Sequence, residues 1–382
     1  VERVDVVVVG LGSMGSMALW RLAAARPDLR LLGIEQYGGV HFHGAYAGES
    51  RLFRVAAKEG RIYTPLLVRS RELWTELEQA SGREILLKVG ALSVGPAGHP
   101  DLDATLQSIS DHDLPHETMD AAELRARYPQ FHIEADDVGV LDVLGGGTRS
   151  EVGVLAATGE AIRLGAAARF GVQVDGIDVT SDGVRVATSE GDVLADRVVV
   201  TAGPWTTRVL PDLADLLTVS TYALTWFMPR HIERFTPDRF PGFMRDLGGV
   251  HAFGVPTLDG YSIKMCPQVD LDEVADIAAR PPGLVREQLV WVGEQAVRMI
   301  PDLVPEAVRW SVHSDSKTAA RMPVIDTVAD GRIVVAAGMS GNGFKFAPVY
   351  GQALAEVILT GDSEWTRPQF TAASHREAAV PV

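Results

Sequence analysis

The run Asp5-Val6-Val7-Val8-Val9 enters Gly10-Leu11-Gly12-Ser13-Met14-Gly15 without a spacer. Five residues of buried-strand character thus meet glycines at G-x-G-x-x-G spacing, residues 16–25 read as a helix, and a second apolar run, 29–34, ends on Glu35. A βαβ unit with an acid about 20 residues past the last glycine is the pattern of a dinucleotide site. Gly10 permits the tight turn, Gly12 lets backbone approach a pyrophosphate, and Gly15 lets the helix sit close to the strand. The helix N-terminus offers unpaired N–H groups and a partial positive charge to the phosphates. Glu35 would accept hydrogen bonds from ribose hydroxyls. The strand before, the helix after and the acid at its distance favour dinucleotide binding over a merely glycine-rich turn.

A chain of 382 residues has room for two domains or one large α/β unit around that motif. Its formal charge of −15 argues against nucleic acid or an anionic membrane as partner. The single cysteine, Cys266, excludes an intrachain disulfide framework and a cysteine-rich metal site. The histidines show no metal-ligand spacing, and His41 and His43 read as polar loop residues, so no metal is expected. No apolar run reaches membrane-spanning length and no signal peptide precedes the first strand, so the expectation is a cytoplasmic protein.

Past Glu35, residues 37–50 read as a loop leading into Glu49-Ser50-Arg51-Leu52-Phe53-Arg54. Helical spacing would put Arg51 and Arg54 on one face, either a solvated basic face or a cation pair over a cofactor and a carboxylate. Thr64-Pro65 reads as N-cap and first residue of a helix that ends near Gly82. A strand is expected over 85–94 and helices over 101–112 and 121–128. Gly145-Gly146-Gly147 reads as a crossing between domains or, more plainly, as a flexible turn, and Ser150 as a helix cap with Glu151 in the first turn. Residues 196–205 form a second buried strand ending in the small-residue turn Ala202-Gly203-Pro204-Trp205. Ligands meet a doubly wound sheet at such carboxyl ends. From 218 to 325 longer alternating strands, interrupted by a helix at 283–299, suggest a mainly antiparallel sheet that bears the substrate.

Residues 332–338 give a third buried strand, followed by Ser340-Gly341-Asn342-Gly343-Phe344-Lys345-Phe346 and a helix over 348–359. The expected fold is therefore α/β. A discontinuous Rossmann-like domain spans 1–84, 145–217 and 326–382, and a substrate domain with a mainly antiparallel β-sheet spans 85–144 and 218–325. The Gly341-x-Gly343 turn suits an anion or a ring edge, or is a plain tight turn. Taken singly, Lys345 reads as a lysine snorkelling from an apolar run and Lys264 as an outward-facing residue of an alternating strand.

Together these residues resemble the monomeric sarcosine oxidase and N-methyltryptophan oxidase group of FAD-dependent amine oxidases, within the D-amino-acid oxidase-like superfamily. The resemblance spans nearly the whole chain. It is most specific in Gly48-Glu-Ser-Arg51-x-x-Arg54, Glu59-Gly60-Arg61-x-Tyr63-x-Pro65-Leu66, Phe240-Pro-Gly-Phe-Met244 and Ser340-Gly-Asn-Gly-Phe-Lys-Phe346. It implies that Arg54 and Lys345 hold a substrate carboxylate, that Arg51 lies beside the flavin, and that Lys264 activates dioxygen. The FAD-binding set it implies is Gly10, Gly12, Ser13, Met14, Gly15, Glu35, Gln36, Ser50, Arg51, Val174, Ala202, Gly203, Trp205, His313, Gly338, Gly341, Asn342, Gly343, Phe344 and Lys345.

The family attaches FAD through a cysteine ahead of a Lys-Thr pair. Counting back from Lys317-Thr318, His313 occupies that position, so noncovalent FAD is expected, with a histidyl link the alternative. Asp315 and Gln268 replace a tyrosine and a histidine of the sarcosine pocket. The implied reaction is oxidation of a secondary (N-alkyl) amino acid, with imine hydrolysis and reduction of O2 to H2O2. Alternatives are an N-carboxymethyl or cyclic imino acid substrate, a flavin dehydrogenase using another acceptor, and a non-catalytic flavoprotein subunit. A NAD-dependent dehydrogenase fits the first motif alone. Expected partners are a small amino-acid-like substrate and dioxygen, with a monomer as the expected state.

Overall fold

A computed structural model describes residues 1–378; residues 379–382, the end of the segment 326–382 expected to belong to the Rossmann-like domain, lie outside them. The valines of Glu2–Val9 are buried on both faces, as the centre of a covered parallel sheet requires. This strand lies between Leu31–Glu35 and Val193–Val200, parallel to both. Ala167–Phe170 extends the parallel order on one side and Ile333–Ala337 on the other. Antiparallel Val174–Thr180, Gly183–Thr188 and Val324–Val328 complete eight strands. Helix Ser13–Ala25 packs between helices Ser150–Arg163 and Gly343–Thr360. The second contact is close because Gly351 has no side chain: a Cβ there would stand 2.4 Å from the Met17 Cβ.

The second eight-stranded sheet runs in the order Leu303–Lys317, Thr218–Pro229, Ile263–Pro267, Val250–Val255, Gly242–Leu247, Ala91–Pro96, Asp137–Asp142, His116–Met119. It is antiparallel except where Gly242–Leu247 meets Ala91–Pro96. Helix Arg286–Met299 covers it with Val292, Ala296 and Met299. The fully buried Arg245 guanidinium pairs with Asp137 at 2.6 and 2.9 Å. Removing either partner would strand a buried charge, at a cost of about 3–5 kcal/mol.

Several local expectations are corrected. Gly145–Gly147 is no flexible turn: Gly146–Arg149 is a strand between Ser50–Phe53 and Leu86–Leu87. Gly146 is glycine because a Cβ there would lie 1.8 Å from the Leu87 carbonyl oxygen. Residues 50–53 are strand, not helix, so Arg51 and Arg54 do not share a face. Strand 85–94 is broken into two by the left-handed Gly90. The last long helix begins at Gly343, with Pro348 inside it, because burial of Phe344 and Phe346 outweighs the lost N–H. Thr64 and Ser150 are first helical residues rather than caps.

Candidate active site

A partly open cleft lies at the carboxyl ends of the parallel strands, where ligands meet such a sheet. Ten of the anticipated residues line it: Gly10, Gly12, Ser13, Met14, Glu35, Gln36, Val174, Ala202, Gly203 and Trp205. Gly10 has φ +85°, and a Cβ on it would stand 2.7 Å from the Thr201 carbonyl oxygen. At Gly15 a Cβ would lie 1.8 Å from the Gly10 oxygen, whereas at Gly12 it would meet only the Tyr46 ring, at 3.6 Å. The chain itself fills the space over the first and third glycines and leaves the second open. No side chain caps the helix that starts at Ser13, so its first N–H groups suit an anion. The Glu35 carboxylate accepts from Leu11 N at 2.9 Å and Tyr37 N at 3.0 Å, with His41 Nε2 at 3.3 Å.

These features fit the dinucleotide half of FAD, and they separate the glycines by experiment. Gly12→Ala should keep the fold and weaken FAD binding, while Gly15→Ala should cost about 1–3 kcal/mol of stability through overpacking. Thermal melts of the FAD-free proteins, beside FAD titrations, check this; equal melting of the two variants would contradict it.

Two cation clusters lie beyond the cleft. Alternation in Ser50–Phe53 sends Arg51 one way, while Arg54, three residues on, goes the other. Arg51 donates to the Ala45, Ala47 and Ser50 carbonyls and to the Tyr222 hydroxyl, at 2.7–3.0 Å. On that side Lys264, buried on strand Ile263–Pro267, donates from Nζ to the Gly48 oxygen at 2.8 Å and the Ser50 oxygen at 2.5 Å. Burial, with Arg51 nearby, pushes its pKa down to about 7. The Trp226 ring lies 5.2 Å from Nζ. Phe227 turns into the opposite core and Met228 faces solvent.

On the other side, Arg54 Nη2 donates to Glu59 Oε1 at 2.9 Å, and Lys345 Nζ pairs with the same oxygen and with Asn342 Oδ1 at 3.2 Å. Burial would push the Glu59 carboxyl up, but Lys345 and Arg54 outweigh it and hold it far below the usual range. Burial brings Lys345 down to about 8 against the opposing pull of Glu59. Arg54 Nη1 and Glu59 Oε2 are buried without partners. Asp142, accepting from Val55 N and Ala56 N at 2.6 and 2.9 Å, fixes the backbone that carries Arg54.

The other anticipated residues divide. Gly341 N donates to the buried Asp315 carboxylate at 2.6 Å, and Gly338 N to Ser316 Oγ at 2.9 Å. Asp315 lines the cleft, and burial pushes its pKa up to about 6. Gln268 is exposed. Gly343 begins the helix, and the Phe344 ring turns from the cleft to stack on Trp74. His313 is buried beside Phe42 and Tyr222, with Nδ1 3.2 Å from the Phe42 oxygen and Nε2 2.7 Å from Ser311 Oγ. A carbonyl only accepts, so Nδ1 carries the proton and Nε2 accepts from the hydroxyl. Burial, then Arg51 and Lys264, press its pKa down to about 3, which keeps it neutral.

Sequence reasoning gave no role to His41, Tyr46 or Glu59, although Glu59 opens one of the distinctive motifs. Among the described residues, His99, Asp101 and Asp246 converge as possible metal ligands, but Lys58 already pairs with Asp101 and His251 with Asp246.

Residues 5–357 match the family model described as FAD dependent oxidoreductase, DAO. The chain belongs to this family. It is 34% identical to a monomeric sarcosine oxidase of Streptomyces avermitilis, over 94% of both chains. It is 28% identical to an N-methyl-L-tryptophan oxidase of Salmonella enteritidis, over 96% of this chain and 98% of that one. NikD, described as an unusual amino acid oxidase essential for nikkomycin biosynthesis, superposes with a TM-score of 0.85 at 22% identity, over 97% and 98% of the two chains, and shows the fold alone. The protein is an FAD-dependent oxidoreductase of the sarcosine oxidase type. No helix among the described residues is long and apolar enough to cross a membrane.

Proposed function

We propose that this family member oxidises a secondary, N-alkyl amino acid, with Arg54 and Lys345 receiving its carboxylate and Lys264 serving dioxygen. The observation that carries the reading is Arg54. Its guanidinium is buried, bound to Glu59 on one nitrogen and unpartnered on Nη1, beside a second buried cation. A buried donor left open is costly, and an acid-bearing substrate satisfies it with a charge-assisted bond. FAD, held along the cleft, would supply the redox chemistry: acceptance of a hydride from the carbon next to nitrogen, which leaves an imine for hydrolysis, and return of the two electrons to dioxygen as hydrogen peroxide.

The chain's own contribution is placement and charge. Asn342 and Glu59 fix the Lys345 ammonium, Asp142 fixes the backbone at Arg54, and the resulting fork orients the acid. Lys264 supplies positive charge on the other side, where charge develops on oxygen. The cofactor set retained in this reading is the ten anticipated residues of the cleft lining together with Gly15, Ser50, Arg51, His313, Gly338, Gly341, Asn342, Gly343, Phe344 and Lys345.

FAD is held noncovalently in this reading. Cys266 lies on the Lys264 strand, and both nitrogens of His313 are occupied by hydrogen bonds. Acid precipitation should therefore leave a colourless pellet of unmodified mass and yellow supernatant; a yellow pellet with the added mass of FAD contradicts this. The function itself is tested on a panel of N-methyl, N-carboxymethyl and cyclic amino acids, scored for peroxide and product mass. The expected result is one peroxide per imine-derived product, greatest with an N-alkyl amino acid. Turnover only with an artificial electron acceptor would make the protein a dehydrogenase instead.

A further inference from the structure

The seat of Lys264 is held from outside the site described so far. The Gly48 and Ser50 carbonyls that receive Nζ flank Glu49. Gly48 and Glu49 both lie in the left-handed region, at φ +111° and +73°. The φ of +111° favours glycine at position 48, and a Cβ there would also press on Leu224 Cδ1 at 2.4 Å. Glu49 keeps a side chain in the same strained region, which persists only where the surroundings over-determine it. Glu151, in the first turn of helix Ser150–Arg163, provides that hold. Its Oε1 accepts from Gly48 N at 2.6 Å and Glu49 N at 2.9 Å, and its Oε2 from Ser150 Oγ at 2.9 Å. The Glu49 carboxylate in turn accepts from Trp226 Nε1 at 2.8 Å and Arg309 Nη2 at 2.6 Å.

We propose that Glu151 is a positioning residue for the oxygen-side lysine: it holds the left-handed Gly48–Glu49 turn that seats the Lys264 ammonium, and its charge favours the cation. The proposal rests on the reading of Lys264 given above. The groups that face Lys264 are Arg51 from strand Ser50–Phe53, Glu49 from the turn, Glu151 from the helix, Cys266 on its own strand and His313 from strand Leu303–Lys317. Arg309, from that last strand, stands across the Trp226 ring. Burial and Arg51 oppose the ammonium form, while Cys266, Glu49 and Glu151 favour it. Burial pushes the Glu151 carboxyl up, but the two backbone N–H groups outweigh it and keep Glu151 anionic.

Glu151→Gln keeps an oxygen for both N–H groups and removes only the charge, whereas Glu151→Ala removes both. The chain has five lysines, so protein carrying 13Cε-labelled lysine gives five NMR signals, and Lys264→Met identifies one of them. In FAD-free Glu151→Gln the Lys264 titration midpoint should fall by about half to one pH unit. In the holoenzyme the pH at which fast reoxidation by oxygen is lost should fall with it, and anaerobic reduction by substrate should stay within about twofold. Glu151→Ala should slow reoxidation about tenfold or more.

An unchanged Lys264 midpoint in Glu151→Gln, or equal loss of both half-reactions in both variants, would overturn the proposal. The Lys264 reading survives that outcome as long as Lys264→Met reoxidises slowly. It fails separately if Lys264→Met reoxidises at the wild-type rate.

Discussion

Lys264→Met should slow reoxidation of the bound flavin by dioxygen about 100- to 1,000-fold, with anaerobic reduction by substrate within about twofold of wild type. The magnitude is that of deleting one preorganised charge aimed at a developing anion in a water-poor site. The asymmetry follows from the strand Ser50–Phe53, which sends Arg51 to the Lys264 side and leaves Arg54 on the Glu59 side. The wild type should also show a pH signature. Burial has drawn Lys264 down from the usual lysine range to about 7. The cation, and with it fast reoxidation, is present below its pKa and lost as pH rises through it. An anionic group brought beside the ammonium moves that midpoint upward. Stopped-flow traces at several pH values check both statements. A pH-independent profile, or slowing confined to anaerobic reduction, would remove Lys264 from the oxygen side.

Arg54→Ala should lower kcat/KM about 30- to 1,000-fold, mostly through KM, with FAD content little changed. Truncating one partner of a buried charge pair costs about 2–4 kcal/mol, which converts to that range. The loss has two parts: one donor to the substrate acid disappears, and Glu59 keeps only Lys345 to offset its burial. Arg54→Lys should recover only part, because a single ammonium cannot reproduce the planar fork. FAD content and steady-state kinetics on the same preparations decide the matter. Unchanged kinetics would eliminate the carboxylate fork.

The sequence made the nucleotide half readable because its constraints are local. Gly10, Gly12, Gly15 and Glu35 stand at fixed separations in one βαβ unit: the chain closes over Gly10 and Gly15, leaves Gly12 open, and sets the Glu35 carboxylate against the Leu11 N–H. The pairing of Lys345 with Arg54 joins residues 291 positions apart, and only the family resemblance brought the two together. Glu59 escaped because an acid beside two cations reads locally as part of a charged loop. Glu151 escaped because an acid in a first helical turn already has an ordinary explanation. The strand Leu303–Lys317, inside the expected strand region 218–325, could not be delimited because its middle residues, such as Glu306, Arg309 and Trp310, are exposed while 312–316 are buried, which blurs any period of two. The helix at Gly343 was set too late because Pro348 reads as a start, and only the packing of Phe344 on Trp74 shows otherwise.

We propose that this flavoenzyme recognises its amine through an acid. The direct measurement is anaerobic bleaching of the purified yellow protein by matched pairs, each an N-alkyl amino acid and the same amine without its carboxylate. Rapid, saturable bleaching by the acid-bearing member, with its neutral counterpart weaker by about 100-fold or more, is the predicted result. Equal bleaching by both members would contradict it.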